Sequence, residues 1–93
     1  MENLIINEKK YILVTNEKEG YNQEEVEKIM TDYFEEFDVV VGDWSYGKLR
    51  LKGFNDEGHK NFKSINDSSK IAEYIEKNCA FGCRWFAIRA NKD

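Results

Sequence analysis

The spacing of apolar residues changes period several times along the chain, and each change marks an element. Leu4-Ile5-Ile6 and Tyr11-Ile12-Leu13-Val14-Thr15 are β-branched-rich runs on either side of polar Asn7-Glu8-Lys9-Lys10, the pattern of a hairpin. After the charged loop Asn16 to Gly20 the period lengthens. Val26, Ile29, Met30, Tyr33, Phe34 and Phe37 recur at helical spacing as one apolar stripe, which predicts a helix. Asn22 is its expected N-cap, and Glu25 stands at the capping-box position. Glu24, Glu25, Glu27, Asp32, Glu35 and Glu36 fall mostly off the stripe.

The second half reads as a hairpin, a loop, a helix and a closing strand, with no internal repeat. Asp38-Val39-Val40-Val41 reads as a short buried strand, and Gly42 to Gly47 as a turn bounded by glycines. Lys48-Leu49-Arg50-Leu51-Lys52 alternates strictly, so both leucines face the core and the three cations face the other way. Residues 53–66 read as loop. Asp67 or Ser68 is expected to cap a second helix with Ile71, Ala72, Ile75 and Cys79 on one face, ended by Gly82 in the left-handed conformation. Cys83 to Ala90 closes as a strand that turns Phe86 and Ile88 one way, with Arg84, and Trp85, Ala87 and Arg89 the other. The order ββ-α-ββ-α-β predicts an α+β domain, mainly antiparallel, with both helices on one face of the sheet.

A chain of 93 residues allows a single domain, residues 1–93, and its mixture of 34% charged and 41% apolar residues is that of a soluble globule. No apolar run approaches the roughly 20 residues needed to span a bilayer, and no signal-peptide core is visible. With two cysteines the expectation is a cytoplasmic chain with reduced thiols, Cys79 serving as a small buried apolar residue.

Two segments carry a more specific signal: Asp38-Val-Val-Val-Gly-Asp-Trp-Ser-Tyr-Gly-Lys-Leu-Arg-Leu-Lys-Gly-Phe54 and Asn78-Cys-Ala-Phe-Gly-Cys-Arg-Trp-Phe86. Together they resemble the signature of the YutD-like family, small cytoplasmic proteins of low-GC Gram-positive bacteria. Tyr11 to Asp38, with Glu19-Gly20-Tyr21-Asn22 at the helix entry, is similar to the same pattern more loosely. The resemblance spans about residues 10 to 89. It implies a small α+β domain and transfers no catalytic residue.

Candidate chemistry narrows accordingly. Gly42-x4-Gly47-Lys48 copies the start of a phosphate loop, but Leu49 replaces the metal-holding Ser/Thr and a strand follows in place of a helix. Cys79 and Cys83 lack the two-residue spacing of a zinc or redox pair, and His59 is the only imidazole. No metal ligand set, cofactor or catalytic residue is therefore assigned. Enzymatic chemistry would require Cys83, Asp43 or His59 to converge in a pocket.

Charge changes the picture once it is split by position. The net charge of −4 divides into −8 over residues 1–45, with 12 acidic and 4 basic residues, and +4 over residues 46–93, with 6 acidic and 10 basic. The basic half holds the alternating strand and most of the family-like motifs. The expected function is a non-catalytic binding module that contacts an acidic protein partner through Asp43, Trp44, Tyr46, Arg50, Lys52 and Trp85, aromatics anchoring and cations orienting. The alternative is RNA or other single-stranded nucleic acid on a basic sheet face, cations following phosphates and rings stacking on bases. Which applies depends on whether Lys48, Arg50 and Lys52 lie open or are covered by the acidic first helix.

Overall fold

The computed structural model describes residues 2–78 and 82–91. β1 (Glu2–Ile6) and β2 (Lys9–Glu17) form the expected hairpin. Asn7 and Glu8 make its two-residue turn with φ of 49° and 70°, the geometry that follows the right-handed twist of the strands. β3 (Val39–Ser45) and β4 (Lys48–Phe54) form a second hairpin, and β5 (Trp85–Ala90) pairs with both β2 and β3. The result is one antiparallel sheet in the order β1-β2-β5-β3-β4. The α+β class and the element order are as expected.

The helices, however, lie on opposite faces. α1 (Gln23–Ile29) places Val26, followed by Met30, against Leu4, Ile6, Tyr11, Leu13, Val40, Phe86 and Ile88. α2 (Ile71–Asn78) places Ile71, Tyr74 and Ile75 against Val39, Val41, Phe54 and Ala87. The expectation of one helical face is thus corrected, and Val39-Val40-Val41 explains why. All three are buried, which a strand achieves only when both faces of its sheet are covered.

α1 is also shorter than the apolar stripe implied. Its Asn22 cap accepts from the Glu25 amide at 3.0 Å as expected, but the helix ends at Met30 in extended backbone. Asn7 Nδ2 reaches from the first turn to the carbonyls of Glu27 at 3.4 Å and Met30 at 3.3 Å, supplying donors that continued helix would have provided. A separate 3-10 helix, Asp32–Glu36, then carries Phe34 onto the first core cluster and brings the Phe37 ring over Gly53.

The expected turn 42–47 shrinks to two residues, because Gly42 to Ser45 belong to β3. Gly42 is required there by close approach: a Cβ would lie 2.2 Å from the Phe86 ring. The remaining turn, Tyr46 and Gly47, has φ of 52° and 76°.

Before α2, Asp67 Oδ1 accepts from the Ser69 amide at 2.9 Å and opens a 3-10 turn, Ser68–Lys70, that runs into the helix. Asp67 is thus the cap. Tyr74 joins the core where Ala72 was expected, and Ala72 is exposed. The expected role of Cys79 falls outside the described residues. Cys83 is disulfide-bonded, not the reduced thiol expected, and it lies in the turn before β5 instead of opening that strand. Gly82 has φ of 77°, the left-handed value expected of it. The presumed loop after Gly53 is partly ordered by Asn55, whose amide donates to the Asn66 carbonyl at 2.7 Å and whose carbonyl accepts from Ser68 at 3.0 Å.

Candidate functional site

The β3–β4 hairpin carries five of the six expected contact residues, and its pleat divides them. Asp43, Arg50 and Lys52 face α2, as does Trp85 of β5, while Trp44 points to the α1 face and Tyr46 projects from the turn. They do not form one patch.

Asp43 is 1% exposed, so it serves the fold rather than a surface. Its Oδ2 accepts from Arg50 Nη2 at 2.5 Å across the β3–β4 ladder. Its Oδ1 is buried without a hydrogen-bond partner among the described residues. The same Arg50 Nη2 donates to the Asn78 carbonyl at 3.0 Å, at the C-terminal end of α2 where a cation complements the helix dipole. The hydrogen bond and charge of Asp43 raise the Arg50 guanidinium above its ordinary pKa. Lys52 Nζ lies 5.2 Å from the Phe54 ring centroid and 5.8 Å from that of Tyr74, a cation-π arrangement under α2. Trp85 is half-buried in the same cluster. The covering element is therefore the second helix, not the acidic first one.

The end of the sheet at the β3–β4 turn is built differently. Trp44 Nε1 donates to the Gly20 carbonyl at 2.7 Å, and the Arg84 guanidinium stacks 4.6 Å from the Trp44 ring centroid. Arg84 Nη2 also donates to the Glu19 carbonyl at 3.1 Å, and its own carbonyl accepts from the Trp44 amide at 3.0 Å. These bonds join the end of β3, the loop after β2 and the start of β5. Beyond them stands Tyr46, fully exposed, beside exposed Lys48. Arg84 was not among the expected contact residues. Its signal was available in the two-residue phase it shares with Phe86 and Ile88, which places it on the Trp44 side of the sheet.

Among the open clefts at the sheet, two lie against its helical and aromatic cover. One, of about 170 Å³, lies between Val14 and Thr15 of β2 and Ile71 of α2. The other, of about 190 Å³, lies along β4 between the aromatics Tyr33, Phe34 and Phe37 and the exposed Ile65. His59 sits beside Asp56, which pairs with Arg89, at the opposite end of β3 from Asp43. His59 is therefore apart from Asp43, one of the two other groups that enzymatic chemistry would need to converge with it. Among the described residues no three His, Cys, Asp or Glu side chains gather as a metal site, and no helix is long and apolar enough to cross a membrane.

Known proteins share this architecture and sequence. The chain is 37% identical over 86 residues to the Bacillus subtilis (strain 168) protein named "Putative antitoxin YutD", covering 92% of this chain and 94% of that one. The solution NMR structure of protein yutD from B. subtilis superposes with a TM-score of 0.81 at 34% identity, over 100% of this chain and 84% of that one. A family model described as "Putative antitoxin YutD-like" matches residues 5–89. With a match over nearly its whole length, on the motif-bearing hairpin and the entry to β5 alike, the chain belongs to the YutD-like family.

Proposed function

We propose that this domain is a non-catalytic protein-binding module that docks on an acidic partner through the β3–β4 tip, with Tyr46 as anchor and Arg84 and Lys48 as flanking cations. The antitoxin name carried by its relative fits such a role, because neutralising a toxin by contact needs a surface and no chemistry of its own. The observation that carries the reading is Tyr46. A tyrosine at φ of 52° costs about 1–2 kcal/mol relative to ordinary backbone, and its ring is fully exposed, so burial does not offset this. Asn or Gly would fit the same turn without that cost. The ring is a solvent-facing aromatic of the kind enriched at binding hot spots. Trp44 and Arg84 behind it form a rigid base.

The nucleic-acid alternative is less favoured, because α2 packs on the sheet face that holds Arg50, Lys52 and Trp85 and removes the open platform on which bases would stack. The test is affinity capture with the tagged full chain from a lysate of its host cells, in parallel with Tyr46→Asn and Arg84→Gln. The captured partner is expected to be lost from both variants and weakened by salt for the wild type. Variants that fold and retain every captured protein would reject the tip as the docking surface.

A further inference from the structure

The outer edge of β4 holds an interaction that the chain begins and does not complete. Among the described residues β4 pairs as a strand only with β3. The two-residue turn makes Ser45 and Lys48 a hydrogen-bonded pair, so Lys48, Arg50, Lys52 and Phe54 direct their backbone groups to β3. Leu49, Leu51 and Gly53 must then direct theirs outward. Asn55, next in the same phase, demonstrates the direction: its amide and carbonyl are both taken, by Asn66 and Ser68, in a parallel bridge. The chain thus adds one step of strand to its own edge and leaves the next three residues unextended.

We propose that this edge accepts an extended strand from a partner protein in which acidic and apolar residues alternate. The proposal rests on the reading of the domain as a protein-binding module and names a second mode of contact. Two independent features fit that strand. On the α1 face the edge opens into the cleft between the Tyr33–Phe37 aromatics and Ile65, where Tyr33 is 65% and Ile65 77% exposed, so apolar side chains at every second position find a lined groove. On the α2 face, beyond the part that the helix covers, the edge presents exposed Lys48, half-buried Lys52 and Arg50, which keeps 46% of its side chain exposed despite its pairing with Asp43. Carboxylates at the intervening positions would stand directly opposite these cations.

Charge also selects against the simplest competitor. A second copy of the chain pairing edge to edge would bring two rows of Lys and Arg together, and like charges directly opposite destabilise a ladder. An acidic strand meets no such repulsion.

The test uses the full ¹⁵N-labelled chain and an end-capped synthetic peptide alternating Glu and Val. The expected result is shifted and exchange-protected amides at Leu49 and Leu51. Binding should weaken at least about tenfold for the same peptide with Lys in place of Glu, and for the Leu51→Pro variant, which lacks one outward donor. Unchanged edge amides, or undiminished binding to a folded Leu51→Pro, would overturn the proposal. Should that variant unfold, peptides N-methylated at every Val or at every Glu replace it, and equal binding of both overturns the proposal as surely. Concentration-dependent dimerisation that protects the β4 amides would also overturn it. The Tyr46→Asn variant separates the two readings. Tyr46-dependent partner capture without peptide binding rejects the edge alone, and peptide binding with capture indifferent to Tyr46 rejects the tip alone.

Discussion

Arg50 and Asp43 stand directly opposite each other on β4 and β3, one half-exposed and the other sealed, and the guanidinium of the first holds down the last turn of α2. Because Asp43 is buried, losing its cation costs more than losing the pair. Arg50→Met is expected to destabilise the domain by about 2 kcal/mol, and Asp43→Asn by less, since a neutral amide survives burial better than an unpaired carboxylate. A double-mutant cycle read by urea denaturation should give a coupling of at least about 1 kcal/mol.

Gly42 and Gly47 differ in what they require. Gly42→Ala forces a methyl into the Phe86 ring and should cost about 1–3 kcal/mol, visible as a lowered denaturation midpoint. Gly47 has φ of 76° with open space around it, so Gly47→Asn should fall within about 0.5 kcal/mol of wild type, whereas Gly47→Val should not.

Tyr46→Asn produces the Asn-Gly dipeptide preferred in this turn and should raise stability by about 0.5–1 kcal/mol in thermal unfolding. Partner capture should fall in the same variant. Gain of one property with loss of the other separates a contact residue from a structural one.

Asp56 accepts from Arg89 at 2.6 Å and from the Ser68 hydroxyl at 2.5 Å, and these bonds, Arg89's first, hold its carboxyl below the usual range. The unfolded state therefore takes up the proton first. The stabilisation is present above the unfolded value of about 4 and is lost as pH falls through the lower folded value. Urea midpoints measured on acidification should drop more steeply for wild type than for Asp56→Asn.

Much of this was legible where the determinants are local. Asn22 and Glu25 marked the start of α1, Asp67 opened the second helical segment, and the Lys48–Lys52 alternation gave both the strand and the faces of its side chains. The end of α1 was not legible, because the donor that replaces its next turn comes from Asn7, 23 residues away, while the aromatic spacing continues the stripe without interruption. Asp43 read as a turn residue because nothing nearby in sequence shows that Phe86 will press on Gly42 and keep the chain extended. The candidate site suffered from the same gap. Pleat phase grouped Arg50 with Lys52 and Trp85 with Arg89, but whether those faces coincide, and which helix covers them, depended on the position of β5.

That position has a consequence for biosynthesis. β5 follows its neighbours β2 and β3 in the chain, yet it lies between them and joins the two hairpins in the sheet. Until the ribosome has released it, β1–β2 and β3–β4 are separate ribbons with bare inner edges, and no local pairing can join them. Completion of the sheet therefore waits for β5 and closes contacts far apart in sequence. A chain cut short before Trp85 would not yield a weaker version of the domain. It would yield two unjoined hairpins, open to aggregation and proteolysis.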